Sequence, residues 1–177
     1  MSKYKDLDNF STWSPEEKDH FTVSVIKGLI MDTVRKANSG HTGGPMSSAD
    51  FATILFKDYL QFNPKDPNWF NRDRFILSAG HESALQYVLL HLIGWLGLDD
   101  LKQFRQLHSK TPGHPEVEIS GVECTTGPLG QGFGMGTGMA FAETFLRHAL
   151  EEKSKNTEGL VNHYTYVLAS DGDMQEP

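Results

Sequence analysis

Three histidines in this sequence lie in loop-like stretches: His41 in "SGHTGG", His81 in "AGHES" and His114 in "PGHPE". An imidazole near neutrality donates, accepts or moves a proton, so three of them beside glycine or proline suit a polyhydroxylated substrate. Either they share one site or they are separate surface side chains, and spacing alone leaves both open. His20, His91, His148 and His163 fall in or beside helical or strand patterns and read as core or surface residues.

A second candidate is "TTGPLGQGFGMGTGMA", which sets Gly127, Gly130, Gly132, Gly134, Gly136 and Gly138 at and beyond a helix start. Amides at a helix N-terminus bind phosphate oxygens, and glycines also let a helix pack closely on its neighbour. The first reading suits Gly127 and Gly130, the second Gly132 to Gly138. No offset gives G-x-G-x-x-G, which disfavours a dinucleotide fold. The third candidate is Asp171-Gly172 at the end of "YVLAS", where ligands of open α/β sheets bind and an Asp is an apt Mg²⁺ donor. Ordinary turns use the same dipeptide.

Other chemistries find little support. "HESAL" is not H-E-x-x-H, no G-x-S-x-G is present, and Cys124 is the single cysteine, so neither a zinc cage nor an internal disulfide is expected. A formal net charge of −7 argues against a broad nucleic-acid-binding surface. The apolar stretch from Ala84 to Leu98 is broken by Gln86, His91 and two glycines and is shorter than the ~20 residues of a membrane span. The N-terminal "MSKYKDLDNFSTW" has no signal-peptide core, and the expected location is the cytoplasm.

The elements that must position these residues are legible in outline. Ser14-Pro15-Glu16-Glu17 has the form of a capping box with proline at the first helical position. Ile26, Leu29, Ile30, Thr33 and Ala37 then share a helical face up to the stop at Asn38-Ser39-Gly40. A second helix is expected from Ser47, with Phe51, Ile54, Leu55 and Asp58 on its stripe. "RFILS" reads as a buried strand turning through "AGHES" into a helix marked by Leu85, Val88, Leu89 and Leu92. A short helix is expected from Asp99 to about His108, followed by a long irregular segment from Ser109 to Gly127. Pro128 suits the first turn of a helix carrying Met135, Met139, Ala142, Phe145, Leu146 and Ala149 inward. Polar "EEKSKNTEG" separates it from the strand "YTYVLAS".

This is an α/β pattern with two strands. At 177 residues, 38% hydrophobic and 11% aromatic, the chain has room for one domain of the usual ~100–150 residues but hardly for two. A two-stranded parallel sheet flanked by helices leaves open edges, so something is expected to complete it.

Taken together, "KANSGHTGGPMSSAD", "NPKDPNWFNRDRFILSAGHESALQY", "LKQFRQLHSKTPGHPEVE", "GVECTTGPLGQGFGMGTGMAFAE" and "HYTYVLASDGDMQE" resemble, in this order, the N-terminal diphosphate-binding half of transketolases. The resemblance covers nearly everything from Gly28 to Glu176. It implies an α/β thiamine diphosphate-binding fold with an incomplete parallel sheet, a single partial domain over residues 1–177. It implies thiamine diphosphate and Mg²⁺, or Ca²⁺ in its place, and transfer of a two-carbon ketol unit between sugar phosphates.

By position in the family, His41 would contact substrate and assist proton transfer, His81 would lie by the cofactor, and His114 would bond the donor's terminal hydroxyl end. Gly127, Pro128 and Leu129 would line the cofactor, Gly172 would meet the diphosphate and Asp171 the metal. Thr42 stands where the family usually has proline and Glu82 where it usually has glycine. A charged Glu82 beside His81 would face either the diphosphate or solvent. Ser170 replaces the first glycine of Gly-Asp-Gly, and Asp173 follows Gly172.

In the family the motif runs on to an asparagine that completes the metal site, and a glutamate reaches the cofactor from another domain across a dimer interface. The resemblance therefore implies an isolated chain that is inactive, working as a homodimer or with a complementary transketolase subunit. The alternatives are a non-catalytic interaction protein of the family and a truncated piece.

Overall fold

The computed structural model describes residues 7–154, 157 and 159–176. Helix α1 (Pro15–Ala37) begins where its sequence dictates. The Ser14 hydroxyl accepts from the Glu17 amide at 3.2 Å, and the Glu17 carboxylate accepts from the Ser14 amide at 2.9 Å, satisfying two amides that a helix start leaves open. Asn38, at φ 50°, ends the helix in the left-handed conformation.

Helix α2 (Gly43–Ile54) starts four residues ahead of the expected Ser47, inside the glycine stretch, with the Met46 amide donating to Thr42 O at 3.0 Å. Its buried side consists of Pro45, Ser48, Ala49, Ala52 and Thr53, while Phe51 and Ile54 are exposed. Small side chains let α2 approach α1 and α3 closely, so of the apolar stripe read from the sequence Phe51 and Ile54 face outward while Leu55 packs against the core.

Strand β1 (Arg74–Leu77) runs through a 3₁₀ turn, Gly80–Glu82, into helix α3 (Ser83–Leu92), which is buried from Ser83 to Leu90. Helix α4 (Leu98–Leu101) is one turn long and stops well short of His108; the positive φ of 60° at Arg105 breaks the continuation. Residues 102–130 carry no further regular element among those described, as the Pro- and Gly-rich sequence implies. Helix α5 (Gln131–Glu151) starts after Gly130, at φ 80°, which leaves Pro128 in the loop ahead of it. Strand β2 (Thr165–Leu168) follows. The expected polar break before it lies partly outside the described residues, as does Pro177.

The two strands are parallel and in register from Arg74↔Thr165 to Leu77↔Leu168. Phe75, Leu77 and Leu168 belong to the core built with α1, α2 and α3. On the other face, Ile76 and Val167 lie beneath α5, where the Cβ missing from Gly136 would sit 2.5 Å from Val167 Cγ2. Both faces of the short sheet are thus covered, while each strand keeps one open edge among the described residues.

Helix α5 turns inward with glycine. Gly132 and Gly136 are its buried residues, whereas Met135, Phe145 and Leu146 are exposed, contrary to the inward set expected. No helix among the described residues is long and apolar enough to cross a membrane.

Candidate functional site

The C-terminal ends of β1 and β2 and the start of α5 meet in one place, the usual location of a ligand in an open α/β sheet. Gly80 follows β1 and backs directly onto the loop that leads to α5. A Cβ on Gly80 would stand 2.9 Å from the Gly127 amide nitrogen and 2.9 Å from Thr126 Oγ1. Thr126 in turn donates to Leu77 O at 2.7 Å. This close approach, which only glycine permits, sets His81 beside the loop that carries Gly127.

His41 reaches His81 from the turn before α2, its ring centroid 5.2 Å from that of His81 at an interplanar angle of 64°. His114 comes from the long loop. The Cβ that Gly127 lacks would sit 3.5 Å from the His114 ring, and the Tyr87 hydroxyl donates to the His114 carbonyl at 3.2 Å. Three loop histidines from three segments therefore converge around Gly127. Partial burial, then the charge of Arg105, then those of His41 and His81, hold the His114 imidazole below its ordinary value. It is accordingly neutral at pH 7 and able to accept as well as donate.

Leu129 and Gly172 also meet, with Leu129 Cδ1 at 3.3 Å from where a Gly172 Cβ would be. Pro128 and Asp171 are exposed on either side of that contact.

The carboxylate that the fold itself uses is Asp173, which sequence reasoning passed over for Asp171. Asp173 is 2% exposed and accepts from Ser78 Oγ at 2.7 Å, the Gly130 amide at 2.9 Å, and the Ser170 amide and hydroxyl, both at 2.8 Å. Burial alone would push its carboxyl up, but the Gly130 and Ser170 amides and the Ser78 and Ser170 hydroxyls outweigh it and hold it below the ordinary range. Ser78 Oγ also accepts from the Phe133 amide at 3.0 Å. The start of α5 is thus partly satisfied from within, and the Gly130 amide is already engaged rather than free for a phosphate. The one hint in the sequence was the Asp-Gly-Asp spacing of "SDGD".

Glu82, expected to face diphosphate or solvent, is turned away from solvent. It is 6% exposed, with Oε1 2.6 Å from where a Gly44 Cβ would be, Ser48 nearby, and Oε2 without a partner. Burial first, then Asp173, push its carboxyl up against the opposing pull of Ser48 and His81. The folded value lies above the unfolded one, so the native state binds more protons just above the ordinary carboxylate range. Stability therefore falls as pH rises through the folded value. E82Q is expected to remove that slope and to be about 1 kcal/mol more stable than the parent at pH 7, with the two alike near pH 4. Urea unfolding across this range checks it; parallel curves for the two proteins would rule the account out.

The residues present suit a cofactor with a polar ring system and a diphosphate. Gly127 leaves open the space beside His114, and the turn Ser170–Gly172 offers backbone close to Leu129. They do not form a metal cage on their own. No cluster of three or more His, Cys, Asp or Glu side chains able to hold an ion exists among the described residues, and Asp171 stands as a single carboxylate.

Over most of its length the chain is similar to known proteins. The family described as "Transketolase, thiamine diphosphate binding domain" matches residues 18–177. A transketolase of Staphylococcus epidermidis is 57% identical over 161 residues, covering 90% of this chain and 24% of its own length. One from Aquifex aeolicus is 52% identical over 162 residues, covering 89% and 23%. Among solved structures, transketolase from Leishmania mexicana superposes with a TM-score of 0.83 at 44% identity, over 89% of this chain and 23% of that one. The Pichia stipitis enzyme in complex with sedoheptulose-7-phosphate gives 0.82 at 48% identity, over the same shares. The chain spans about a quarter of the length of the curated relatives it matches.

Proposed function

Because this chain belongs to the transketolase family, through its thiamine diphosphate binding domain, we propose that its histidine loops form part of the site where a transketolase passes a two-carbon ketol unit between sugar phosphates. The observation that carries this reading is the convergence of His41, His81 and His114 around Gly127. Thiamine diphosphate, when bound, supplies the carbanion chemistry of such a transfer. Gly127, Pro128, Leu129 and His81 line it, and the bare backbone at Gly172 accommodates its diphosphate. His114, neutral at pH 7, holds the terminal hydroxyl of the donor sugar. His41, exposed at the mouth, contacts substrate and moves a proton at that end.

Asp171 would serve as one ligand of Mg²⁺ or Ca²⁺, and a single carboxylate is an incomplete set for either ion. A polypeptide of these 177 residues is therefore expected to show no micromolar binding of thiamine diphosphate and no ketol transfer. The partner in this reading is a second copy or a complementary transketolase polypeptide. Support comes from the exposed apolar side chains of α5, Phe133, Met135, Phe141, Phe145, Leu146 and Leu150, each at 36% exposure or more.

The test is a splice in which residues 18–177 replace the matching segment of the Staphylococcus epidermidis transketolase. It should turn over the ketose phosphates seen with the Pichia stipitis enzyme, such as fructose-6-phosphate, in a thiamine diphosphate-dependent manner. H114A and H41A should each lower that rate about 100-fold. A folded splice whose rate is unchanged by either substitution would refute these roles. The same exposed side chains of α5 favour a second reading, a non-catalytic family member that docks on another transketolase chain; a folded splice that binds no cofactor would select it.

A further inference from the structure

Arg105 is the cation that the histidine site does not yet account for. Its backbone is left-handed, φ 60°, a conformation that costs a residue with a Cβ about 1 kcal/mol. It is held there by its amide, which donates to Thr111 O at 2.8 Å, and by Thr111, whose hydroxyl donates to Asp100 O at 2.7 Å. The strain has a visible result. Phe104 enters the core, 2% exposed, while the next side chain turns out across the site. A Cβ on Gly40 would lie 3.6 Å from Arg105 Cδ, and one on Gly113 would lie 3.2 Å from its Cζ. Gly40 precedes His41 and Gly113 precedes His114, so one side chain spans the two loops.

Among the described residues Arg105 enters no ion pair with a carboxylate, in a chain whose net charge is −7. Its guanidinium borders an open cleft of about 450 Å³ that it shares with Pro112, Gly113 and His114.

We propose that Arg105 is a positioning residue of the three-histidine site: its stem and guanidinium fix the spacing of the His41 and His114 loops and set a permanent, unneutralised positive charge beside His114. That charge adds to the partial burial of His114 in favouring the neutral imidazole, with one ring nitrogen free to accept from a hydroxyl. The groups that face His114 are Arg105 from its own loop, His41 from the turn before α2 and His81 from the turn after β1, with Tyr87 of α3 bonded to its carbonyl. None is a carboxylate, so nothing in this set offsets the guanidinium. This role rests on reading His114 as a substrate-facing residue.

The test is an imidazole titration of the 177-residue chain by heteronuclear NMR. In R105M, which keeps the stem and removes the charge, the His114 midpoint should move up toward the ordinary histidine value; in R105K it should stay near that of the parent. A side chain that only packed would give no such difference between M and K. In the unmodified chain the midpoint should also rise between about 10 mM and about 1 M salt, where the screening length falls from about 30 Å to about 3 Å. This arm decides the matter even if R105M does not fold. An R105M midpoint equal to the parent's, or a parent midpoint indifferent to salt, overturns the proposal. Failure of the splice to bind thiamine diphosphate would sink the functional reading without moving this titration, so the two can fail separately.

Discussion

Replacing Gly132 with alanine is expected to destabilise the fold by about 3 kcal/mol or more, the upper part of the range for overpacking a closed contact. The new Cβ would stand 2.5 Å from Ser78 Cα and 2.8 Å from its Cβ. Ser78 cannot retreat, because its amide and that of Ala79 both donate to Leu168 O, at 2.9 and 3.2 Å, closing the end of the sheet. The helix must move instead. Moving it stretches the bonds from the Phe133 amide to Ser78 Oγ and from the Gly130 amide to Asp173.

The glycines further along the same helix provide the control. A Cβ added at Gly134 or Gly138 would meet nothing within 4 Å, so G134A and G138A should each gain about 0.5–1 kcal/mol from helix propensity. Urea midpoints of the variants make the comparison, and a G132A protein as stable as the parent would show that α5 does not rest on the strand end.

The second large effect is expected at Asp173. Two hydroxyls and two amides from three separate segments donate to its carboxylate. Hydrogen bonds to a charged group contribute about 1.5–3 kcal/mol each and are not additive when they share an acceptor, which puts D173A at about 3–5 kcal/mol. D173N keeps one acceptor oxygen and should fall between it and the parent. In both variants the turn Ser170–Gly172 loses its anchor, so amide exchange at Ser170 and Gly130 should accelerate more than in the middle of α3. Uniform loss of protection, or none, would contradict a local anchor.

What the sequence made legible, and what it did not, divides along the range of the interactions. The start of α1 is written in four consecutive residues, and Ser14 and Glu17 bond as their spacing implies. The strands and their parallel pairing were legible as short apolar runs bounded by turns. Helix α5 was misread because apolar periodicity marks the side that usually packs, whereas here glycines at 132 and 136 touch the sheet. The same holds in part for α2, which packs through Ala49 and Ala52 while Phe51 and Ile54 of its apolar stripe face outward.

The three histidines could be picked out as loop residues beside glycine or proline. Their convergence depends on Gly80 meeting Gly127 across the sheet end, which no local pattern encodes. Asp173 escaped notice for a related reason. Its partner Ser78 is 95 residues away, and beyond the spacing of "SDGD" no local pattern separates the buried carboxylate from that of Asp171.

The most direct measurement of the central claim, that these loops take up thiamine diphosphate, is a calorimetric titration of the cofactor with Mg²⁺ into the folded splice. The account predicts saturable binding, micromolar or tighter, that weakens at least tenfold in H81A. A splice that is folded and shows no binding heat, or whose affinity is unaltered by H81A, would contradict it.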